Sequence, residues 1–210
     1  MTINDIDKST IVEKVISQEG FKIIRNEATN IFKNCSTDDC WELGIEFYKS
    51  EYYQVQEIGV FLFGYIANVK NEALTLLKEE VSANTDWRIQ EILAMAFDSY
   101  CKATGYEKAF PIIKEWLNDS RANVRRAVTE GLRIWTKRPF FKENPSIAIK
   151  LLSELKNDES EYVRKSVGNS IRDISKTYPD LVKEELDRWD LSSKSVNQVY
   201  KLASKLINKR

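Results

Sequence analysis

The chain has 210 residues, 42% apolar and 30% charged, with 32 acids balanced by 32 bases and no histidine. That mixture suits a soluble, helix-rich fold with enough apolar surface for a core. It excludes a membrane span, since no run approaches the roughly 18 apolar residues one needs, and it excludes Ser–His and Cys–His pairs, HExxH zinc sites and histidine acid–base chemistry.

The first ten residues, MTINDIDKST, lack the basic start and apolar stretch of a signal peptide. A cytoplasmic location is therefore expected. Helical periodicity predicts elements over 9–16, 21–32 and 38–48. Cys35, Cys40 and Cys101 form an odd, sparse set whose spacing matches neither a disulfide framework nor a zinc site, which predicts buried free thiols. Neither a P-loop nor a GxGxxG fingerprint occurs, so neither a metal nor a cofactor is expected.

From residue 51 onward the chain repeats itself. The segments QVQEIGVFLF, RIQEILAMAF, NVRRAVTEGL and YVRKSVGNSI align on Val55, Ile89, Val124 and Val163, at steps of 34, 35 and 39 residues. Each anchor is followed by small or apolar residues at +3 and +4 and a large one at +8. Between them lie EALTLLKEEV, YEKAFPIIKEWL and PSIAIKLLSEL, and after them helices over 179–189 and 192–207. Asp119–Ser120, Asn157–Asp158 and Pro179 mark helix boundaries. A two-helix unit at this period predicts an all-α, right-handed α-solenoid of HEAT-like repeats, about twelve helices in a single domain over 1–210.

Within that register, position +2 lies about 200° from the core direction and carries Glu57, Glu91, Arg126 and Lys165. Positions +6 and +9 add Glu130, Asn169, Arg133 and Arg172. These columns are expected to line one groove. Trp87 and Glu91 stand out, one turn apart and opposite the apolar stripe of Ile89, Ile92, Leu93, Ala96, Phe97 and Tyr100. Trp41, Trp116 and Trp189 are read as core or seam residues. Charge is uneven: residues 121–178 hold 13 bases and 7 acids, residues 1–120 hold 12 and 20. A basic half of this kind points to a polyanionic partner.

At NVRRAVTEGLR, YVRKSVGNSIRDISKTYPDLV and Trp87-x-x-x-Glu91, the sequence resembles the bacterial DNA-alkylation-repair glycosylases of the AlkC/AlkD group. The first two stretches look like the AlkC branch. The third looks like the AlkD branch's Trp-x-x-x-Asp, with Glu in place of Asp. The resemblance covers about residues 51–189 and implies excision of cationic N3- or N7-alkylated purines from duplex DNA. By it, Glu91 is the catalytic carboxylate, Trp87 contacts the lesion nucleotide, and Glu130 and Asp173 match acidic positions at the AlkC-type site. Arg126 matches a groove arginine on the DNA backbone, and Arg125 and Asn169 join the DNA-facing set. Register and charge add Lys165, Arg133, Arg172, Lys137 and Arg138 as phosphate contacts.

Asn169 replaces a second groove tryptophan of AlkD-type proteins, and LRIWTKRPFF replaces a proline-rich AlkC segment ending in tryptophan. Trp135 or the Phe140–Phe141 pair could fill that role. The partner expected is double-stranded DNA with alkylated bases, bound by a monomer, with no membrane involved. Two other classes stay open: a non-catalytic repeat protein binding structured or damaged DNA, and a scaffold for protein partners.

Overall fold

The computed structural model describes residues 6–17 and 20–207. Residues 1–5, part of the stretch read above as leaderless, lie outside them. Among the described residues the chain is helical throughout, and it divides into two compact units, 1–105 and 106–210.

The first unit contains α1 (Lys8–Ser17), α2 (Phe21–Asn34), α3 (Thr37–Tyr48), α4 (Tyr53–Ile66), α5 (Asn71–Glu79), a 3-10 turn (Val81–Ala83) and α6 (Trp87–Thr104). Its centre is α4, whose sequence YQVQEIGVFLFGYI is apolar almost all round. Such a helix needs cover on every side, and α4 packs against α2, α3, α5 and α6. Gly64 sets the closest approach: a Cβ there would lie 2.5 Å from Ala96 Cα, so the backbones of α4 and α6 touch.

The second unit contains α7 (Tyr106–Leu117), α8 (Ala122–Trp135), α9 (Pro139–Glu143), α10 (Pro145–Glu154), α11 (Glu161–Ile174), α12 (Pro179–Leu186), α13 (Lys194–Ala203) and a closing 3-10 turn (Ser204–Leu206). Helices α8, α11 and α13 pack side by side, with α7, α10 and α12 against them. The short α9 was not predicted; Pro139 opens it at the first helical position, where its missing N–H loses nothing.

The expected repeat register is present. Val55, Ile89, Val124 and Val163 are all buried, as are Phe63, Phe97, Leu132 and Ile171 at +8. What fixes each repeat is a latch at the entrance of its second helix. The side chain five residues before each anchor accepts a hydrogen bond from the backbone N–H two residues on. Tyr52 donates to Ser50 Oγ (3.2 Å), Asp86 to Asn84 Oδ1 (2.8 Å), Arg121 to Asp119 Oδ1 (2.9 Å) and Ser160 to Asp158 Oδ1 (2.8 Å). The side chain just after each anchor then donates to the carbonyl six residues back. Gln56 reaches Ser50 O (2.7 Å), Gln90 reaches Asn84 O (2.7 Å), Arg125 reaches Asp119 O (2.8 Å) and Arg164 reaches Asp158 O (2.6 Å). Loop carbonyls that helix geometry leaves unpaired are thereby satisfied.

Arg125 does more than its counterparts. Its Nε and Nη2 donate to the Asp158 carboxylate at 2.7 and 2.8 Å, Nη1 also reaches Ser120 O, and Nη2 reaches Glu159 at 3.4 Å. Side chains of Arg125 and Asp158 are 7% and 4% exposed. The pair therefore joins the loop before α8 to the loop before α11. Breaking a buried ion pair from one side leaves an uncompensated charge and costs about 3–5 kcal/mol. Asp158→Ala is expected to lower stability by about that much in urea unfolding, whereas Asn84→Ala, which removes a neutral latch, is expected to cost about 1 kcal/mol. Equal losses from the two substitutions would show that the buried charge is not what matters.

Candidate functional site

In the first unit the site is built around the start of α6. Asp86 caps that helix by accepting from Arg88 N at 2.9 Å. The same carboxylate binds the Arg88 guanidinium in a fork, Nε to Oδ1 at 2.9 Å and Nη2 to Oδ2 at 2.6 Å. Those hydrogen bonds from Arg88 hold the Asp86 carboxyl below the usual carboxylate range. The guanidinium carbon lies 3.6 Å from the centre of the Tyr53 ring, so Arg88 is stacked as well as paired. With Arg88 turned towards α4, Trp87 at the first position of α6 faces solvent and is 67% exposed. Glu91, one turn on, is half-buried.

Trp87 and Glu91 line one pocket of about 450 Å³. Gly20, Phe21 and Ile24 at the start of α2, Tyr53, Gln54 and Glu57 on α4, and Arg88, Ile92 and Met95 on α6 complete it. The wall is thus aromatic, with two carboxylates and one arginine already paired. Glu57 is buried, and that burial pushes its carboxyl up to about 7 against the opposing pull of Arg88, with Asp86 adding to the rise. Near neutral pH the pocket holds an acid that gives or takes a proton.

In the second unit, Glu130 and Asp173 stand among cations. Arg133 bridges them, with Nη1 3.4 Å from Glu130 Oε2 and Nη2 2.5 Å from Asp173 Oδ2. Arg126 Nη2 lies 3.9 Å from Glu130, while Lys176 and Arg172 approach Asp173 at 2.8 and 3.4 Å. Burial pushes the Asp173 carboxyl up, but the hydrogen bonds and charges of Lys176, Arg133 and Arg172 outweigh it and hold the group below its ordinary value. Glu130 also accepts from Ser166 Oγ at 2.7 Å, which in turn meets Thr129 Oγ1 at 2.6 Å. Four cations against two carboxylates leave this cluster two positive charges in excess.

The remaining expected contacts are dispersed. Lys165 is exposed and paired with Glu161 at 2.8 Å; Lys137 is exposed; Asn169 is half-buried. Arg138 is half-buried, its guanidinium 5.3 Å over the Tyr106 ring. Arg125 is internal, all its nitrogens engaged as described above. Arg126 is 6% exposed and lies 4.3 Å under the Tyr162 ring. The +2 column is therefore not a uniformly open face, because Glu57 is buried too. Neighbouring second helices pack flank to flank, and that contact covers positions a single helix would leave to solvent.

The model of the DNA alkylation repair enzyme family matches residues 21–205. The chain belongs to that family. It is 52% identical to smu.31 from Streptococcus mutans UA159, over 94% of this chain and 98% of that one, with a TM-score of 0.88. It is likewise 52% identical to AlkD2 from Streptococcus mutans, over 94% of this chain and 97% of that one, with a TM-score of 0.89. It is also 41% identical to the uncharacterized protein YhaZ of Bacillus subtilis over 87 residues, which is 40% of this chain and 24% of the relative. The chain thus spans about a quarter of the length of that curated relative.

In this member of the repair family, two of the three candidates for a substitute groove residue lie in the core. Trp135 and Phe141 are fully buried, stacked at 5.7 Å, with Tyr106 5.3 Å from Trp135. They form the core under α9, and of the three candidates only Phe140 is partly exposed. Sequence reasoning placed Glu57 in the groove column without giving it a role and did not single out Arg88. The signal for Glu57 was its place in the +2 column on an otherwise apolar helix.

Because the folded-state pKa of Glu57 is raised to about 7 from 4.5, its contribution is fully present below about 4.5 and is lost as pH rises through 7. Glu57→Gln, which keeps the protonated shape, is expected to melt a few degrees above the wild type at pH 8. That gap should close by pH 5. A constant difference across the range would mean that Glu57 does not titrate as described.

Proposed function

We propose that this repair-family chain is a DNA glycosylase that releases cationic N3- and N7-alkylated purines from duplex DNA, acting as a cytoplasmic monomer of HEAT-like repeats. The single-domain organisation expected from the sequence belongs to the same proposal. The observation that carries it is the pairing of Trp87 and Glu91 on successive turns of α6, at the wall of one pocket of about 450 Å³.

The chemistry needs little from the protein. An alkylated purine is already a cation, so the bond from the sugar carbon to the base nitrogen breaks with its electron pair going to the base, which leaves neutral. Positive charge then develops on the sugar ring, and water adds to the sugar carbon and loses a proton. Glu91 stabilises that developing charge or holds the water. The Trp87 indole face stabilises the cationic base through its ring electrons. Neither step calls for a cofactor. Arg133, Arg172, Lys165, Lys137 and Arg138 hold the phosphates that position the duplex, with Arg126 and Asn169 beside them. Arg125 acts in this reading as the brace beneath them.

Glu130 and Asp173 take a supporting part here, orienting Arg126, Arg133 and Arg172 instead of meeting the sugar. The same observation favours a second reading, in which the chain binds damaged duplex DNA without excising a base. Duplex DNA containing 7-methylguanine or N3-methyladenine separates the two when free base is measured. Release by the wild type, reduced about 100-fold by Glu91→Gln with duplex binding kept, is the expected result. Binding with no release from either lesion would leave the second reading, and release untouched by Glu91→Gln would remove Glu91 from the site.

A further inference from the structure

A second cavity of about 450 Å³ lies in the second unit, in the cleft between α11 and α13. Its rim is cationic: Arg164 and Lys165 come from the first turns of α11, Lys201 and Lys205 from the end of α13 and the turn after it. Its floor is apolar, formed by Val199 and Leu202. Glu161 is the one carboxylate in the lining, and it is paired with Lys165 at 2.8 Å. Four cations less one acid leave a formal excess of three positive charges. Lys201 and Lys205 are exposed and enter no ion pair among the described residues.

Two features show a built cleft. Gly168 brings the two helices together beneath it: a Cβ there would lie 2.7 Å from Leu202 Cβ and 3.2 Å from Val199 O. The α11 backbone at Gly168 therefore packs directly on the Leu202 side chain and the Val199 carbonyl, which holds the two helices close under the cleft. Arg164 is held from behind, its Nη1 donating to Asp158 O at 2.6 Å and Glu159 O at 3.0 Å. Its Nε is buried without a hydrogen-bond partner. A clamped guanidinium beside two ammonium groups that enter no ion pair among the described residues attracts an anion to the rim.

We propose that the α11–α13 cleft binds the sugar–phosphate backbone of a DNA strand. Phosphates lie on Arg164, Lys201 and Lys205, and a deoxyribose rests on Val199 and Leu202. A cationic rim over an apolar floor suits a strand, in which sugars alternate with phosphates, better than an isolated inorganic anion or a single acidic side chain. This inference rests on the reading that the chain binds duplex DNA, and it adds a contact region that the sequence columns did not include beyond Lys165.

The test measures binding of the full chain to a labelled duplex by anisotropy over a range of sodium chloride concentrations. Three proteins are compared: wild type, Lys201→Gln/Lys205→Gln, and the charge-matched control Lys108→Gln/Lys114→Gln on α7, whose two lysines are exposed. Loss of two phosphate contacts should lower the slope of log affinity against log salt by about 2, with the affinity at low salt falling about tenfold or more. The control and Lys201→Arg/Lys205→Arg should keep the wild-type slope. All variants should show wild-type helical content and melting, so that a change in slope is not a change in folding. A wild-type slope in Lys201→Gln/Lys205→Gln, or an equal drop in the control, would overturn the cleft as a contact while leaving duplex binding intact. Failure of the wild type itself to bind duplex DNA would overturn the proposed function and this inference together.

Discussion

The repeats depend on one small constraint: a side chain just past each buried anchor holds the carbonyl of the loop that leads into its helix. A two-helix repeat has an obvious weakness at that loop, where backbone polar groups have no helical partner and water competes for them. In this chain the loop is closed twice, once by the polar residue five before the anchor and once by the glutamine or arginine after it. Because both partners are counted from the same anchor, burial of one aliphatic side chain sets the loop, the helix start and the direction of the next side chain together.

That next side chain is the one that differs most in charge between repeats. Glu57, Glu91, Arg126 and Lys165 follow Gln56, Gln90, Arg125 and Arg164 directly. With the loop held independently, the chain can exchange acid for base at the following position without disturbing the fold. The first unit uses this freedom to place carboxylates in a pocket with aromatic walls. The second uses it to build a basic surface whose two acids act as struts for arginines. The same backbone device thus underlies two opposite electrostatic environments.

The helices and the repeat register were legible because they depend on apolar spacing, which survives in any sequence that must bury one stripe. Val55, Ile89, Val124 and Val163 needed no structure to be found. The latch was hidden because Ser50, Asn84, Asp119 and Asp158 look like any loop residues until the anchor four repeats share has been fixed. Side-chain exposure at the +2 position was only half legible. A helical wheel treats each helix as touching one neighbour, whereas α4 and α8 are also covered on the flank, which buries Glu57 and Arg126. The fate of Trp135 could not be read at all. It turns on α9, a short helix opened by Pro139 that folds Phe141 back onto the indole.

The placement of the tryptophans has an optical consequence. Trp116, Trp135 and Trp189 are 1%, 0% and 7% exposed, whereas Trp87 is 67% exposed at the mouth of the first unit's pocket. Buried indoles emit towards the blue and are shielded from quenchers; a solvated one emits towards the red. Trp41 is half-buried. Trp87 is therefore the most exposed of the five indoles and weighs most at the red edge of the intrinsic fluorescence, and in the proposed function it is the residue that meets the lesion nucleotide. The chain carries a built-in reporter on its candidate site, read without a label against the bluer emission of its buried tryptophans.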